Sequence, residues 1–128
     1  MKILTLLVAL LLYPLLPLHA QELKPLSMLG TWRITSQHPS GASIAATATF
    51  TQNLRFTSLT TANDKPMMEA SGTWSLEGNK LQWKYERSSH PAIAPGFTDT
   101  DEVLSVSDTK LVLKSKMSGK VQEWNRVR

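Results

Sequence analysis

The sequence contains no cysteine among its 128 residues. Disulfides, thiol nucleophiles, cysteine-bound zinc and a lipid-modified cysteine anchor are therefore excluded. Histidine is also scarce, with three in the whole chain. Neither a Gly-x-Ser-x-Gly nucleophile elbow nor an Asp-x-Asp-x-Asp-Gly calcium loop occurs. We therefore predict no cofactor, no metal and no enzymatic activity.

Long apolar runs are missing except at the N-terminus, where Ile3 to Leu18 is almost wholly apolar and follows Lys2. This pattern, with small Ala20 after it, predicts a signal peptide over residues 1–20 that is cleaved after Ala20. The alternative is an uncleaved membrane anchor, but the run is shorter than the roughly 20 residues a spanning helix needs. We expect a periplasmic or secreted protein without a stable membrane anchor.

Charge of one sign is not concentrated anywhere in the chain. The 14 basic and 10 acidic residues are mixed along the sequence. A nucleic-acid-binding protein usually carries a basic stripe or patch, so we predict no nucleic-acid partner. Removal of the signal peptide leaves one domain's worth of chain. We assign residues 21–29 to a short lead-in and 30–128 to the domain.

Alternation of apolar and polar residues is the repeating pattern after residue 29, and no helical period is sustained. Within 80–86, for example, Leu81, Trp83 and Tyr85 fall on one face of a strand and polar side chains on the other. Similar segments separated by short turns predict eight strands, at 30–37, 43–51, 54–62, 67–76, 80–88, 101–107, 110–117 and 120–127.

Connections this short imply an antiparallel meander. Eight such strands either close on themselves or leave two edges unpaired, and closure removes the edges. We predict an all-β fold, an antiparallel up-and-down eight-stranded barrel, with a flattened or incompletely closed form as a variant. A β-sandwich is the rival architecture.

Two Gly-Thr-Trp triplets, at 30–32 and 72–74, lie in predicted strands, the first of them at the start of its strand, and Arg126 lies near the end of the last strand. With this first-strand tryptophan and late arginine, the sequence resembles the lipocalin or calycin group, and most of all the small bacterial lipocalin-like domains. The resemblance implies that Trp32 closes the barrel floor and that Arg126 packs across it. We assign barrel closure to Gly30, Trp32, Trp74 and Arg126.

The chain departs from related families at two informative places. The Thr-Asp-Tyr type loop of lipocalins is echoed by Thr98-Asp99-Thr100, without the tyrosine. Avidins also begin with Gly-Thr-Trp, but the asparagine expected two residues later for biotin is Ile34. An isoleucine side chain makes no hydrogen bond, so we do not expect biotin binding.

A small apolar ligand in the barrel is the leading functional hypothesis. Small alanines on the second strand would leave room inside, and Met68 could adapt to a guest. The residues expected to contact the ligand are Phe50, Phe56, Met68 and Trp83. The alternative is a tightly packed barrel without a cavity, as its small diameter also permits.

The long segment after the fifth strand supports a second hypothesis. Ile93 and Phe97 stand among prolines in the 88–98 loop. An exposed, stiffened apolar loop suits recognition of an envelope protein or inhibition of a target, whereas the same side chains could instead fold inward as a lid.

A catalytic alternative uses His90 with the acidic cluster Asp99, Asp101 and Glu102. A histidine oriented by a carboxylate is the minimum for acid–base chemistry. No other feature supports this alternative, and we expect the acidic cluster to be a solvated turn that leads into a strand.

Overall fold

The computed structural model describes residues 24–128. The predicted signal peptide and the first part of the predicted lead-in lie outside the described residues. Over the part that is described, no helix has both the length and the apolar character to cross a membrane.

The chain forms a 3₁₀ helix at Pro25–Met28 and then eight strands. The strands are β1 (Gly30–Gln37), β2 (Ser43–Phe50), β3 (Arg55–Ala62), β4 (Lys65–Glu77), β5 (Lys80–Ser88), β6 (Thr98–Val106), β7 (Lys110–Ser115) and β8 (Val121–Val127). Each strand pairs antiparallel with the next, and β8 pairs with β1, so the barrel is closed. The predicted eight-stranded up-and-down barrel is confirmed, and the sandwich is wrong.

Successive hairpins lie at opposite ends of an up-and-down barrel. We call one end the floor; it carries the 3₁₀ helix and the turns at 51–54, 78–79 and 107–109. The other end, the mouth, carries the connections at 38–42, 63–64, 89–97 and 116–120. The 63–64 turn has positive φ at Asn63 and Asp64, as a two-residue hairpin turn requires.

The predicted boundaries differ most at β6, which begins at Thr98 rather than at residue 101. Thr98 pairs with Lys84 and Asp99 pairs with Trp83, so residues 98–100, predicted to precede the strand, belong to it. At β4, Pro66 lies inside the strand where the register with β3 shifts, a position that tolerates a residue without an amide hydrogen.

Arg126 closes the floor by packing on Trp32. The guanidinium carbon lies 4.1 Å from the centre of the indole ring, a cation–π contact. Arg126 Nη1 also donates to the Leu29 carbonyl (2.6 Å) and Nη2 to the Ser27 carbonyl (3.2 Å). One side chain therefore links the last strand to the segment that precedes the first.

Gly30 is required beside this contact for two reasons. Its φ is +116°, which L side chains rarely adopt, and a Cβ there would lie 2.6 Å from Arg126 Nη1. On the other side of Trp32, Met28 is fully buried and its carbonyl accepts the Trp32 Nε1 hydrogen (2.9 Å). The floor is thus filled and its polar groups are paired.

Aromatic rings form a continuous series from the floor to the mouth. Neighbouring ring centres are 5.0 to 5.9 Å apart in tilted or edge-to-face arrangements, which suit the ring quadrupoles. Trp74 is fixed at the floor end, where its Nε1 donates to the Thr51 carbonyl (3.3 Å). In order, the rings are Trp74, Phe50, Trp83, Phe56, Tyr85 and Phe97.

We expect Trp32→Ala to lower the free energy of unfolding by about 3–5 kcal/mol, because it removes a fully buried aromatic side chain and the support for Arg126. Equilibrium urea unfolding measures the loss. Met117→Ala is the control, since Met117 is 76% exposed and its replacement should cost less than about 0.5 kcal/mol. A loss below about 1 kcal/mol for Trp32→Ala would contradict its role at the floor.

Candidate functional site

Interior-facing side chains lose their protection from solvent between the floor and the mouth. On β1, Trp32 is fully buried and Ile34 is partly exposed; on β5, Leu81 and Trp83 are buried and Tyr85 is partly exposed. The same change occurs on the other strands, from Phe50 to Ala46, Phe56 to Thr60, Trp74 to Met68, Val103 to Asp99, Leu113 to Ser115 and Trp124 to Gln122. The barrel is therefore packed below and accessible above.

We call the accessible upper half of the interior the cup. Its lining comprises Ile34, Ile44, Ala46, Thr60, Met68, Tyr85, Asp99, Ser115 and Gln122, with the buried Trp83 and Asp101 below them. The wall formed by β1, β2 and β4 is apolar, and the wall formed by β5 and β6 is polar and acidic. A molecule in the cup would therefore meet two chemically different sides.

Asp101 is the one charged residue buried in the described chain, with 7% of its surface exposed. Its Oδ2 accepts the Trp83 Nε1 hydrogen at 2.8 Å. Burial raises the pKa of this carboxyl from 3.8 to about 6; the Trp83 hydrogen bond opposes the rise and the charge of Asp99 adds to it. The barrel thus holds a carboxylate in a position that disfavours its ionised form.

The Tyr85 hydroxyl belongs to the same wall. Burial raises the pKa of Tyr85 to about 12, and the charges of Asp99 and Asp101 contribute further. Tyr85 is therefore a neutral hydroxyl at all physiological pH values. The two aspartates and the tyrosine influence one another, and together they make this side of the cup electronegative.

The four residues predicted to contact a ligand all face the interior, but at different depths. The Phe50 and Phe56 rings lie 5.0 and 5.1 Å from the Trp83 ring and are almost fully buried. They support the base of the cup from below. Trp83 reaches the base itself, and Met68 lies higher on the wall. Ligand contact by these residues stays a prediction.

The loop residues predicted for recognition lie at the mouth. Phe97 is 39% exposed, and its ring packs 5.9 Å from the Tyr85 ring. The backbone there is tied down, because Tyr85 N donates to the Phe97 carbonyl and Gly96 N donates to the Tyr85 carbonyl. Ile93 is partly exposed. Phe97 therefore stands at the rim of the cup and is also available from outside.

The catalytic alternative gains no support from the positions of its members. His90 Nδ1 accepts a hydrogen bond from Ala92 N within its own loop (3.1 Å). Among residues 24–128, His90 makes no hydrogen bond to Asp99, Asp101 or Glu102. The same part of the chain has no group of three or more His, Cys, Asp or Glu residues placed to hold a metal.

The expectation of a solvated acidic turn is wrong for Asp101, which is buried within β6. The usable signal was the alternation of Asp99, Asp101 and Val103 on one strand face. The predicted strand begins at residue 101, so Asp99 falls outside it and the alternation is not visible. An aspartate at the first position of a strand is then expected to face solvent. The buried indole NH of Trp83, which needs an acceptor, was the second clue.

A separate groove of about 580 Å³ lies on the outside of the barrel, across β2, β3, β4 and the end of β5. Outward-facing hydroxyl side chains, among them Thr47, Thr49 and Thr57, line much of it. None of the predicted ligand residues contributes to it. We call it the outer groove, and it is the natural competitor to the cup as a binding surface.

Known proteins resemble this chain in sequence pattern and fold. The lipocalin-like domain family matches residues 28–113. A crystal structure of a lipocalin-like protein from Bacteroides uniformis superposes with a TM-score of 0.57 at 17% identity, covering 79% of this chain and 99% of the other. An NMR structure of a protein from the same organism gives 0.57 at 9% identity, covering 84% and 94%. No match is found among curated proteins.

We expect Asp101→Asn to stabilise the protein at neutral pH. The folded-state pKa is raised, so the folded chain holds more protons than the unfolded chain between about pH 4 and pH 6, and stability falls as the pH rises through that window. Asparagine keeps an acceptor for Trp83 without the buried charge. Unfolding in urea should show the variant more stable than the parent by roughly 2 kcal/mol at pH 7.5 and nearly equal to it at pH 4.

Asp108→Asn serves as the control, because Asp108 is exposed and forms a surface ion pair with Arg128. Its effect should be small at both pH values. An Asp101→Asn variant that is less stable than the parent at pH 7.5 would show that the ionised carboxylate is accommodated without cost.

Proposed function

The chain belongs to the family of lipocalin-like domains, and we propose that it is an exported, non-enzymatic protein that binds a small apolar molecule in its cup. The observation that carries the proposal is the change from buried to partly exposed side chains along the barrel interior. Ligand sites in small barrels lie in their mouths, where the interior is concave and reachable.

The packing below the cup limits the size of the ligand. Trp32, Trp74, Phe50 and Phe56 fill the lower interior and are at most 3% exposed. A long chain could not descend past them without displacing the aromatic series. The cup therefore suits a compact molecule that stays above these side chains and whose apolar part rests on Ile34, Ala46 and Met68.

Export is proposed from the sequence. The basic Lys2, the apolar run that follows it and small Ala20 together form the pattern of a cleavable signal. A cysteine-free domain is also indifferent to the oxidising conditions of a cell envelope or the extracellular space. The ligand would then be a molecule met outside the cytoplasm.

A non-enzymatic role agrees with the chemistry of the cup. Its polar wall offers carboxylates and a high-pKa hydroxyl, while His90 is engaged within its loop. No nucleophile in the described lining is paired with a base, as covalent catalysis requires. Recognition needs no such pair.

Recognition of an envelope protein through the 88–98 loop is the second candidate, and the exposure of Phe97 favours it. Backbone hydrogen bonds to Tyr85 hold the rim in one conformation, which lowers the entropy lost on association. Substitutions distinguish the two candidate functions. Phe97→Ser would abolish binding of a protein partner at the loop, whereas a bulky side chain placed inside the cup would not.

The neutral apolar dye N-phenyl-1-naphthylamine tests the cup directly. We expect its fluorescence to rise on binding to the parent protein and Ala46→Phe to abolish the rise, because the new ring occupies the cup. Thr47→Phe is the matched control: it is the same new ring on the neighbouring residue, which faces the outer groove. Dye binding lost in Thr47→Phe and kept in Ala46→Phe would place the site in the outer groove.

A further inference from the structure

We propose that the cup selects an organic monocation, a small apolar molecule that carries a protonated amine. This inference rests on the proposed function, because it assumes a ligand in the cup, and it adds the chemical class of that ligand. The residues that assign it are Asp101 and Asp99, with the rings of Trp83, Tyr85 and Phe97.

Acidic groups on the polar wall of the cup have no basic partner there. Asp99 and Asp101 occupy alternate interior positions of β6, and Asp101 makes no ion pair in the described chain. None of the lining residues of the cup is a lysine or arginine. Lys65 occupies an inward strand position but is exposed at the tip of the β3–β4 hairpin. Lys80, Lys114 and Lys116 line a separate pocket with Asp101 and Glu102, but none of them forms an ion pair with Asp101. A guest cation would supply the missing charge.

The Asp101 carboxylate is held in place with one oxygen free to accept a hydrogen bond from a ligand. The Trp83 indole fixes Oδ2 at 2.8 Å, and no donor from residues 24–128 reaches the second carboxylate oxygen. No buried side-chain oxygen or nitrogen in that part of the chain lacks a partner, so this second oxygen is not sealed in the core. An ammonium group in the cup would donate to it in a charge-assisted hydrogen bond, which is stronger when little water competes.

A cationic ligand would also explain why the Asp101 carboxylate is kept in a buried position that destabilises its ionised form. A charge buried without a counter-ion costs stability, and natural sequences retain such a cost mainly where function needs it. The raised pKa of Asp101 agrees with a carboxylate that lacks its cation. Replacing Asp101 by a neutral residue would increase the stability of the folded protein but would remove the group that recognises the ligand.

Aromatic rings on the same wall as the carboxylates favour an organic cation over a metal ion. Tyr85 stands between Phe56 and Phe97, with ring centres 5.3 and 5.9 Å away, and Trp83 lies at the base. Such rings attract an ammonium group electrostatically and also bury the carbon chain attached to it. Calcium and magnesium instead require about six oxygen ligands, which two aspartates and one hydroxyl do not provide.

Three probes of nearly equal shape test the inference: 2-phenylethylamine, 2-phenylethanol and phenylacetate, each titrated into the full protein by calorimetry at pH 7.5. We expect the amine to bind at least about tenfold more tightly than the alcohol, and the acid most weakly. In Asp101→Asn the amine should fall to the affinity of the alcohol, whose own binding stays within about twofold. Asp108→Asn, at the floor, should change none of the three.

Equal affinity for amine and alcohol, or an amine preference that survives in Asp101→Asn, would overturn the inference. The same holds if none of the three probes binds while N-phenyl-1-naphthylamine does; in each of these cases the cup remains a binding site of another specificity. Failure of the neutral dye as well as the three probes would overturn the proposed function itself.

Discussion

The contact between the Arg126 guanidinium and the Trp32 indole is the interaction on which the barrel depends. The β1–β8 seam has three paired residues on each strand, fewer than the other seams of the barrel. Arg126 reinforces that short ladder by donating hydrogen bonds to carbonyls of the segment before β1. Its Nε also donates to the Asp108 carbonyl in the turn between β6 and β7 (2.7 Å). Closure of the seam in turn removes the two exposed strand edges that an open meander would present.

The two ends of the barrel serve different purposes. A cysteine-free domain of this size must obtain its stability from apolar burial, and the tryptophans and phenylalanines packed above the floor supply it. With the lower half closed, the upper half can remain accessible and can hold a buried carboxylate at some cost. The aromatic series joins both halves, so the same rings that form the core also form the base and rim of the cup.

The sequence predicted the architecture well because strand alternation and short turns are local signals. Seven of the eight strands begin within two residues of their predicted positions, and the Gly30, Trp32 and Arg126 contact followed from family resemblance. The depth of each interior residue was not predictable in the same way. The sequence predicts Phe50, Phe56 and Met68 alike as ligand contacts, but the structure places the phenylalanines in the core and the methionine on the wall of the cup. Asp101 was missed because its burial depends on an indole two strand positions away on another strand.

The barrel is closed at the floor, and we propose that it receives its ligand at the mouth. Trp32 and Trp83 report on the two ends, because the Trp32 indole NH bonds to the Met28 carbonyl at the floor and the Trp83 indole NH bonds to Asp101 at the base of the cup. Two-dimensional ¹H–¹⁵N NMR resolves these indole signals during titration with N-phenyl-1-naphthylamine. We expect the Trp83 signal to shift while the Trp32 signal does not move. A stationary Trp83 signal at saturating dye would contradict binding in the cup.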